Sequence, residues 1–97
     1  MEGLIMENKF FVEKVYDIKE NKFIVIEGSL IQGVVSTGMN VGININNSLM
    51  MTANIKKIEK SEEVFKCYKL MIIYEDEEER DLWMALNIGQ EFINVFE

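Results

Sequence analysis

The stretch E-G-S-L-I-Q-G-V-V-S-T-G-M-N-V-G-I-N-I, which runs from residue 27 to residue 45, decides the fold of this chain. Three of its glycines, Gly28, Gly33 and Gly38, stand five residues apart, with apolar residues at fixed offsets between them. Glycine tolerates positive φ and close backbone approach, so this spacing suits bulges and tight turns. We therefore predict that the stretch forms a strand end, a bent crossing, a turn and a second strand.

Length and composition indicate one folded domain. The chain has 97 residues, of which 48% are hydrophobic and 28% charged, which suits one core and disfavours disorder. We predict a flexible lead-in over residues 1–9 and a single domain over residues 10–97. The net charge of −7 opposes contact with phosphate backbones, so composition disfavours nucleic acid and favours a basic protein partner or solubility alone.

The first residues, M-E-G-L-I-M-E-N-K-F-F, lack the basic segment, apolar core and cleavage site of a signal peptide. No apolar run approaches the ~20 residues of a membrane span. We therefore expect a cytoplasmic protein without a membrane contact. Cys67 is the single cysteine, so an intramolecular disulfide is impossible, and its apolar surroundings in the sequence predict a buried thiol.

Six segments rich in β-branched and aromatic residues predict strands. These segments are 10–17, 23 into the glycine-rich stretch, 41–45, 49–59, 64–74 and 92–96. Between the last two, carboxylates precede an apolar run, which predicts a short helix over about 77–84, because acidic side chains in a first turn complement the helix dipole. A glycine turn at Gly89 is expected to end this connection.

The strands and the turn signals between them predict an all-β fold with at most one short helix. Such a pattern is typical of a small antiparallel barrel or sandwich. We predict a closed barrel of six strands, because closure removes the edges that so apolar a chain would otherwise expose.

The glycine-rich stretch also resembles the motif of a known family. Its residues follow the pattern G-x-[V/L]-x-x-G-x-[V/I]-x-x-G-x-x-V-x-I, which is filled by Gly28, Leu30, Gly33, Val35, Gly38, Val41 and Ile43. This pattern is similar to that of the second domain of translational GTPases such as elongation factor Tu. The strand that starts at Phe10 resembles that domain's opening strand, and Ile88 to Phe92 resembles its closing turn. The resemblance spans most of the chain and implies a six-stranded Greek-key barrel.

The chain also departs from the family pattern. Met39 stands where an acidic residue often follows the third glycine, and Ser61-Glu62-Glu63 replaces a Gly-Asp turn. The insert 75–86 is longer than the usual connection. The loop G-x-x-x-x-G-K-[S/T] is missing, so the resemblance implies the barrel without the GTPase. In the full-length factors this barrel contacts RNA, but the chain lacks a basic surface, and no functional residue is carried over.

The residue types disfavour catalysis. The chain has no histidine, which removes the usual general base and the usual zinc ligand. Residues 75–79 form the one dense carboxylate cluster, but they lack the Asp-x-Asp-x-Asp-Gly spacing of a calcium loop. We therefore predict no catalytic residue, no metal site and no cofactor, and we expect that the protein is not an enzyme.

The insert 75–86 offers the best candidate for an interaction patch. Its aromatic residue either anchors an exposed docking surface or packs over an open end of the barrel. If it is exposed, the carboxylates form an acidic rim that would suit a basic protein partner. The candidate residues of the patch are Leu82, Trp83, Leu86, Glu77, Glu78 and Glu79, and the structural turn glycines are Gly28, Gly33, Gly38 and Gly89.

Three hypotheses of function stay open. The first is a non-catalytic barrel module that acts through protein contact, including contact with a second copy. The second is a small-ligand or RNA-end binding module that uses the barrel surface near residues 33–38. The third is an acidic inhibitor or immunity-type protein that masks a basic site on its partner.

Overall fold

A computed structural model describes residues 8–97 of the chain. Over this range the chain forms seven strands and one helix, all within one antiparallel sheet and its covering layer. The elements are β1 Asn8–Ile18, β2 Phe23–Gln32, β3 Asn40–Asn46, β4 Leu49–Asn54, β5 Lys57–Lys60, β6 Cys67–Ile73, α1 Glu77–Leu86 and β7 Glu91–Phe96. The strand order across the sheet is β4-β3-β7-β1-β2-β6-β5. Every pair of neighbouring strands is antiparallel.

The prediction of an antiparallel β fold with one short helix is confirmed. The number of strands and the closure of the barrel are wrong, because seven strands form an open order whose edge strands β4 and β5 are not hydrogen-bonded to each other. The extra strand arises from the segment 49–59, which was predicted as one strand. It divides into β4, which pairs with β3, and β5, which pairs with β6.

The division between β4 and β5 occurs at Ile55 and Lys56, where the chain changes its neighbouring strand. The Ile55 amide donates to the Met39 carbonyl oxygen, next to β3, at 2.8 Å, whereas the Lys56 amide donates to the Met71 carbonyl oxygen in β6, also at 2.8 Å. In the strand order β3 lies next to one edge of the sheet and β6 lies next to the other edge. One short chain segment can therefore reach both strands only if the sheet curls. The sheet therefore wraps around its core without closing.

The core lies on the inner face of this curled sheet. In β7 the alternation is clear, since Ile93 and Val95 are buried while Phe92 is exposed. The helix and the connections 87–90 and 55–56 add further apolar side chains. The buried cluster consists of Phe10, Val12, Ile24, Ile26, Leu30, Met39, Val41, Ile43, Ile55, Leu70, Ile72, Tyr74, Trp83, Ile88, Ile93 and Val95.

Two predicted boundaries differ from the structure. Residues 1–7 of the predicted lead-in lie outside the described residues, and the other two, Asn8 and Lys9, already belong to β1. The strand predicted from residue 64 begins later, at Cys67. The preceding residues form a turn instead, because the Ser61 hydroxyl oxygen accepts the Val64 amide at 3.1 Å and Lys66 adopts a left-handed φ of 63°. The local hydrogen bonds of this turn thus override an apolar run.

The spaced glycines serve two different geometries. Gly28 lies in β2, where β1 carries a bulge, and a β-carbon placed on it would collide with the Phe11 carbonyl oxygen. Gly33 and Gly38 instead take left-handed φ values of 86° and 96° in the connection between β2 and β3. At the end of α1 the chain turns at Gly89 and Gln90, as predicted. The left-handed residues there are Asn87 and Gln90, while Gly89 has an ordinary φ.

We expect Gly28→Ala to lower the free energy of unfolding by about 1–3 kcal/mol, the range seen when a packed site is overfilled. The added methyl group would force the backbones of β1 and β2 apart at the bulge. Urea unfolding followed by circular dichroism measures the change. Gly89→Ala is the matched control, because a β-carbon there would lie 3.4 Å from the Glu13 carbonyl oxygen, an ordinary contact. Equal effects of the two substitutions would contradict the close approach at Gly28.

Candidate interaction surfaces

The acidic run of the insert 75–86 starts the helix. Asp76 caps α1, and its Oδ1 accepts the Glu79 amide at 2.9 Å, while Glu79 Oε1 accepts the Glu75 amide at 2.8 Å. Both carboxylates thereby satisfy amides that have no partner within the helix, and with Glu77 and Glu78 they complement its dipole. The helix extends to Leu86, slightly beyond the predicted 77–84. Within residues 8–97 no helix has both the length and the apolar character needed to span a membrane.

One ion pair joins α1 to the sheet. The Arg80 guanidinium donates from Nε to Asp17 Oδ2 of β1 at 2.9 Å, and the Asp17 side chain is 15% exposed. The same guanidinium donates to Asp81 Oδ1 at 2.6 Å on the solvent side. The hydrogen bond from Arg80 lowers the pKa of the Asp17 carboxyl below its usual value, and desolvation opposes this shift. The pair therefore joins the first turns of α1 to the end of β1.

The predicted patch on α1 is divided between the core and the solvent. Trp83 is 1% exposed and belongs to the buried cluster. It therefore packs over the sheet and does not anchor an exposed docking surface. Leu86 is half-buried against the same cluster. Leu82 is 48% exposed on the outer side of the helix, together with Glu77 and Glu78. The exposed surface of α1 therefore has one large apolar side chain, Leu82, beside acidic residues, and the predicted aromatic anchor is not part of this surface.

The connection 33–39, the candidate surface for a ligand or an RNA end, is held by asparagine side chains. Asn8 Oδ1 accepts the Val34 amide at 2.8 Å, and Asn54 Nδ2 donates to the Gly38 carbonyl oxygen, also at 2.8 Å. These bonds use polar groups that could otherwise face a ligand. The connection contains no basic residue, so it offers no charge to a phosphate.

A groove of about 430 Å³ lies on the outer face of the sheet beside the 61–66 turn. Its lining brings together Cys67, whose Sγ lies 3.4 Å from the Ser29 hydroxyl, and the carboxylates of Glu13, Glu27 and Glu59. Across the strands the register aligns Lys14, Glu27, Lys69 and Glu59 in alternating sign. Alternating charges on facing strands stabilise a solvated sheet surface. Among the described residues no group of three potential ligands is arranged to hold a metal.

The strands β3 and β4 form a hairpin, residues 40–54, whose outer end is uncharged and exposes apolar side chains beside asparagines. Ile45, Leu49 and Met50 are 40%, 55% and 47% exposed, respectively. The turn between them is closed by Asn46, whose Oδ1 accepts the Ser48 amide at 2.8 Å. Met50 also lies over Gly42, where an added β-carbon would come within 2.7 Å of its sulfur atom. The β3–β4 hairpin therefore presents apolar side chains on both of its faces, because Leu49 and Met50 are consecutive in β4.

Sequence reasoning missed this surface, although a signal for it was present. No Asp, Glu, Lys or Arg occurs from Gly28 to Ile55, a run of 28 residues in a chain that is 28% charged. The strands of the hairpin lie within this run. Soluble proteins ordinarily place charged residues along their exposed surface, and large uncharged apolar patches are typical of interaction sites. A count of charges along the chain would have found the hairpin.

Comparison of the chain with protein-family models, with curated proteins and with solved structures gave no match.

Substitutions in α1 separate its buried face from its exposed face. We expect Trp83→Ala to lower the free energy of unfolding by about 3–5 kcal/mol, because it truncates a buried aromatic side chain. Leu82→Ala, one position earlier and exposed, should change it by no more than about 0.5 kcal/mol. Chemical unfolding of both variants measures the difference. If the two substitutions cost the same, the orientation of α1 on the sheet is wrong.

The Asp17–Arg80 pair predicts a pH dependence of stability. The pKa of Asp17 is lower in the folded than in the unfolded chain, so its contribution is complete above the unfolded value of about 3.9 and is lost as the pH falls through the folded value. We expect Asp17→Asn to destabilise the protein at neutral pH. The difference in stability between this variant and the wild type should shrink as the pH falls from the unfolded pKa of Asp17 through its folded pKa. Thermal unfolding across the pH range measures it. Asp81→Asn, at the exposed partner of Arg80, is the control and should have a smaller effect at neutral pH.

Proposed function

We propose that the protein is a non-catalytic β-sheet module that acts through protein–protein contact, and that the β3–β4 hairpin makes this contact. The observation that carries the proposal is the exposure of Ile45, Leu49 and Met50 on a hairpin without charges. Apolar side chains at the centre of a patch with few charges are typical of interface cores. Their removal from water on binding supplies the driving force.

The location of the hairpin in the sheet supports this choice of surface. The β3–β4 hairpin is at one end of the strand order, so a partner can approach it without displacing another strand. At the opposite end, Lys57, Glu59 and Lys60 give β5 a charged surface. The surface of α1 combines Leu82 with carboxylates, which suits a basic partner but provides one exposed large apolar side chain. The hairpin is therefore the stronger candidate.

The likeness to the second domain of translational GTPases is part of this proposal. A domain of that kind without the nucleotide-binding loop has no reaction of its own to perform and acts by contact. The glycines of the motif bend β2 and the connection to β3, and this bend leads directly into the hairpin. We accordingly propose that the motif builds the interaction surface and takes no part in chemistry.

The proposal is tested by affinity capture with matched variants of equal charge. The wild type, Leu49→Glu and Val64→Glu are immobilised and exposed to an extract of cells that express the protein, and bound proteins and RNA are quantified. Leu49 and Val64 are both 55% exposed, so the two variants add the same charge at equally exposed positions in different places. We expect proteins, copies of the chain included, to be retained by the wild type and by Val64→Glu and to be lost from Leu49→Glu.

Other outcomes assign the contact elsewhere. A protein that binds Leu49→Glu as well as the wild type but is lost from Leu82→Glu would place the contact on α1 and favour a basic partner. Retention of RNA in place of protein, with the steep decline in moderate salt that phosphate contacts show, would favour the connection 33–39. Either result contradicts the assignment to the hairpin.

A further inference from the structure

The strand β4 has an unpaired edge. Within residues 8–97 it is hydrogen-bonded to β3 on one side, and it ends the strand order on the other. An edge strand presents backbone amides and carbonyls that can pair with a further strand. At six residues, β4 has the typical length of a strand and gives such a pairing several hydrogen bonds. The chemistry of this edge therefore suits a β-strand as its occupant.

The two edges of the sheet differ in their protection. Three of the four residues of β5 are charged, and charged side chains on an edge oppose the addition of another strand. The sequence of β4, L-M-M-T-A-N, contains no charged residue and no proline. Its first two side chains, Leu49 and Met50, are exposed. One edge is thus protected by charges, while the other has neither a charged residue nor a proline to oppose pairing.

The charge distribution leaves β4 as a place where a second copy of the same chain can pair. Each copy carries a net charge of −7, so two copies repel each other over most orientations. The uncharged run from Gly28 to Ile55 gives one region where two copies can approach without bringing like charges into contact. An uncharged strand is also compatible with its own antiparallel copy, because no residue of it meets a like charge across the pair.

We propose that β4 pairs antiparallel with β4 of a second copy, so that two sheets join into one continuous sheet around a two-fold axis. This inference rests on the proposed function, because it names the partner that the hairpin contacts. Residues opposite each other in an antiparallel pair share a face of the sheet, so the axis passes at Met51 or at Thr52. In either register Leu49 or Met50 lies against the second copy.

The assembly stops at two copies. A two-fold contact uses the same surface on both partners and leaves no second copy of that surface free. The remaining edge of each sheet is β5, whose charges oppose further addition. The edge therefore produces a closed dimer and not a fibre.

Size-exclusion chromatography with light scattering tests the dimer, from micromolar to millimolar protein. We expect the wild type and Val64→Glu to reach twice the chain mass of 11.3 kDa. Leu49→Glu should dissociate at a concentration higher by about tenfold or more, because it places two carboxylates at the contact. Circular dichroism should show all three proteins equally folded, since both substituted side chains are exposed.

Cysteine cross-linking tests the register on a Cys67→Ser background. At the two-fold axis a residue faces its own copy with Cα atoms about 4.5–5.5 Å apart, within the range that a disulfide spans. We expect Met51→Cys or Thr52→Cys to form a disulfide-linked dimer under mild oxidation. Lys60→Cys on β5 is the control and should remain monomeric on a denaturing gel.

The outcomes separate this inference from the function on which it rests. A wild type that stays monomeric at millimolar concentration, a dimer that Leu49→Glu leaves intact, or an assembly larger than two overturns the β4 pairing. If the wild type is monomeric but the capture experiment recovers another protein that Leu49→Glu loses, the protein-contact function stands and the second copy is excluded. If nothing is captured either, both proposals fail.

Discussion

The change of partner at Ile55 and Lys56 is the constraint on which the shape of the sheet depends. Two adjacent amides donate toward opposite edges of the sheet. The Ile55 amide lies 2.8 Å from the Met39 oxygen, just before β3, and the Lys56 amide lies 2.8 Å from the Met71 oxygen in β6. Both bonds can form only when the sheet curls enough to bring these strands to the same segment. The Ile55 side chain is fully buried, so hydrophobic burial holds the segment where the backbone bonds require it.

The curl has a consequence for the surface of the molecule. A closed barrel would have paired β4 with β5 and left no edge, whereas the switch leaves each of them with one unpaired side. The chain protects these two sides differently. Three of the four residues of β5 are charged. The uncharged run ends at Ile55, and the next residue, Lys56, is the one whose amide donates to β6. The same short segment therefore shapes the core and separates a protected edge from an unprotected one.

The helix illustrates how far local sequence can predict a structure. The acidic run before Leu82 indicated a helix, and it begins at Glu77 because Asp76 and Glu79 satisfy backbone amides locally. The orientation of the helix was not decided locally. Trp83 is buried in a cluster of residues far from it in the sequence, Leu82 faces away from that cluster, and Arg80 reaches Asp17 across 63 residues of sequence. Sequence patterns contain the capping residues, but they do not reveal which distant carboxylate an arginine will meet.

The sequence by itself determined where most of the β-structure lies, the short helix and the need for glycine at three positions. Alternation and β-branched residues define a strand by interactions among near neighbours, and Gly28, Gly33 and Gly38 mark a close approach and two left-handed turns. The tertiary structure alone decided how many strands the sheet has, which edges stay unpaired and where Trp83 lies. These depend on hydrogen bonds and packing between residues far apart in the chain, and an extended segment such as 49–60 has the same local pattern whether it pairs with one neighbour or with two.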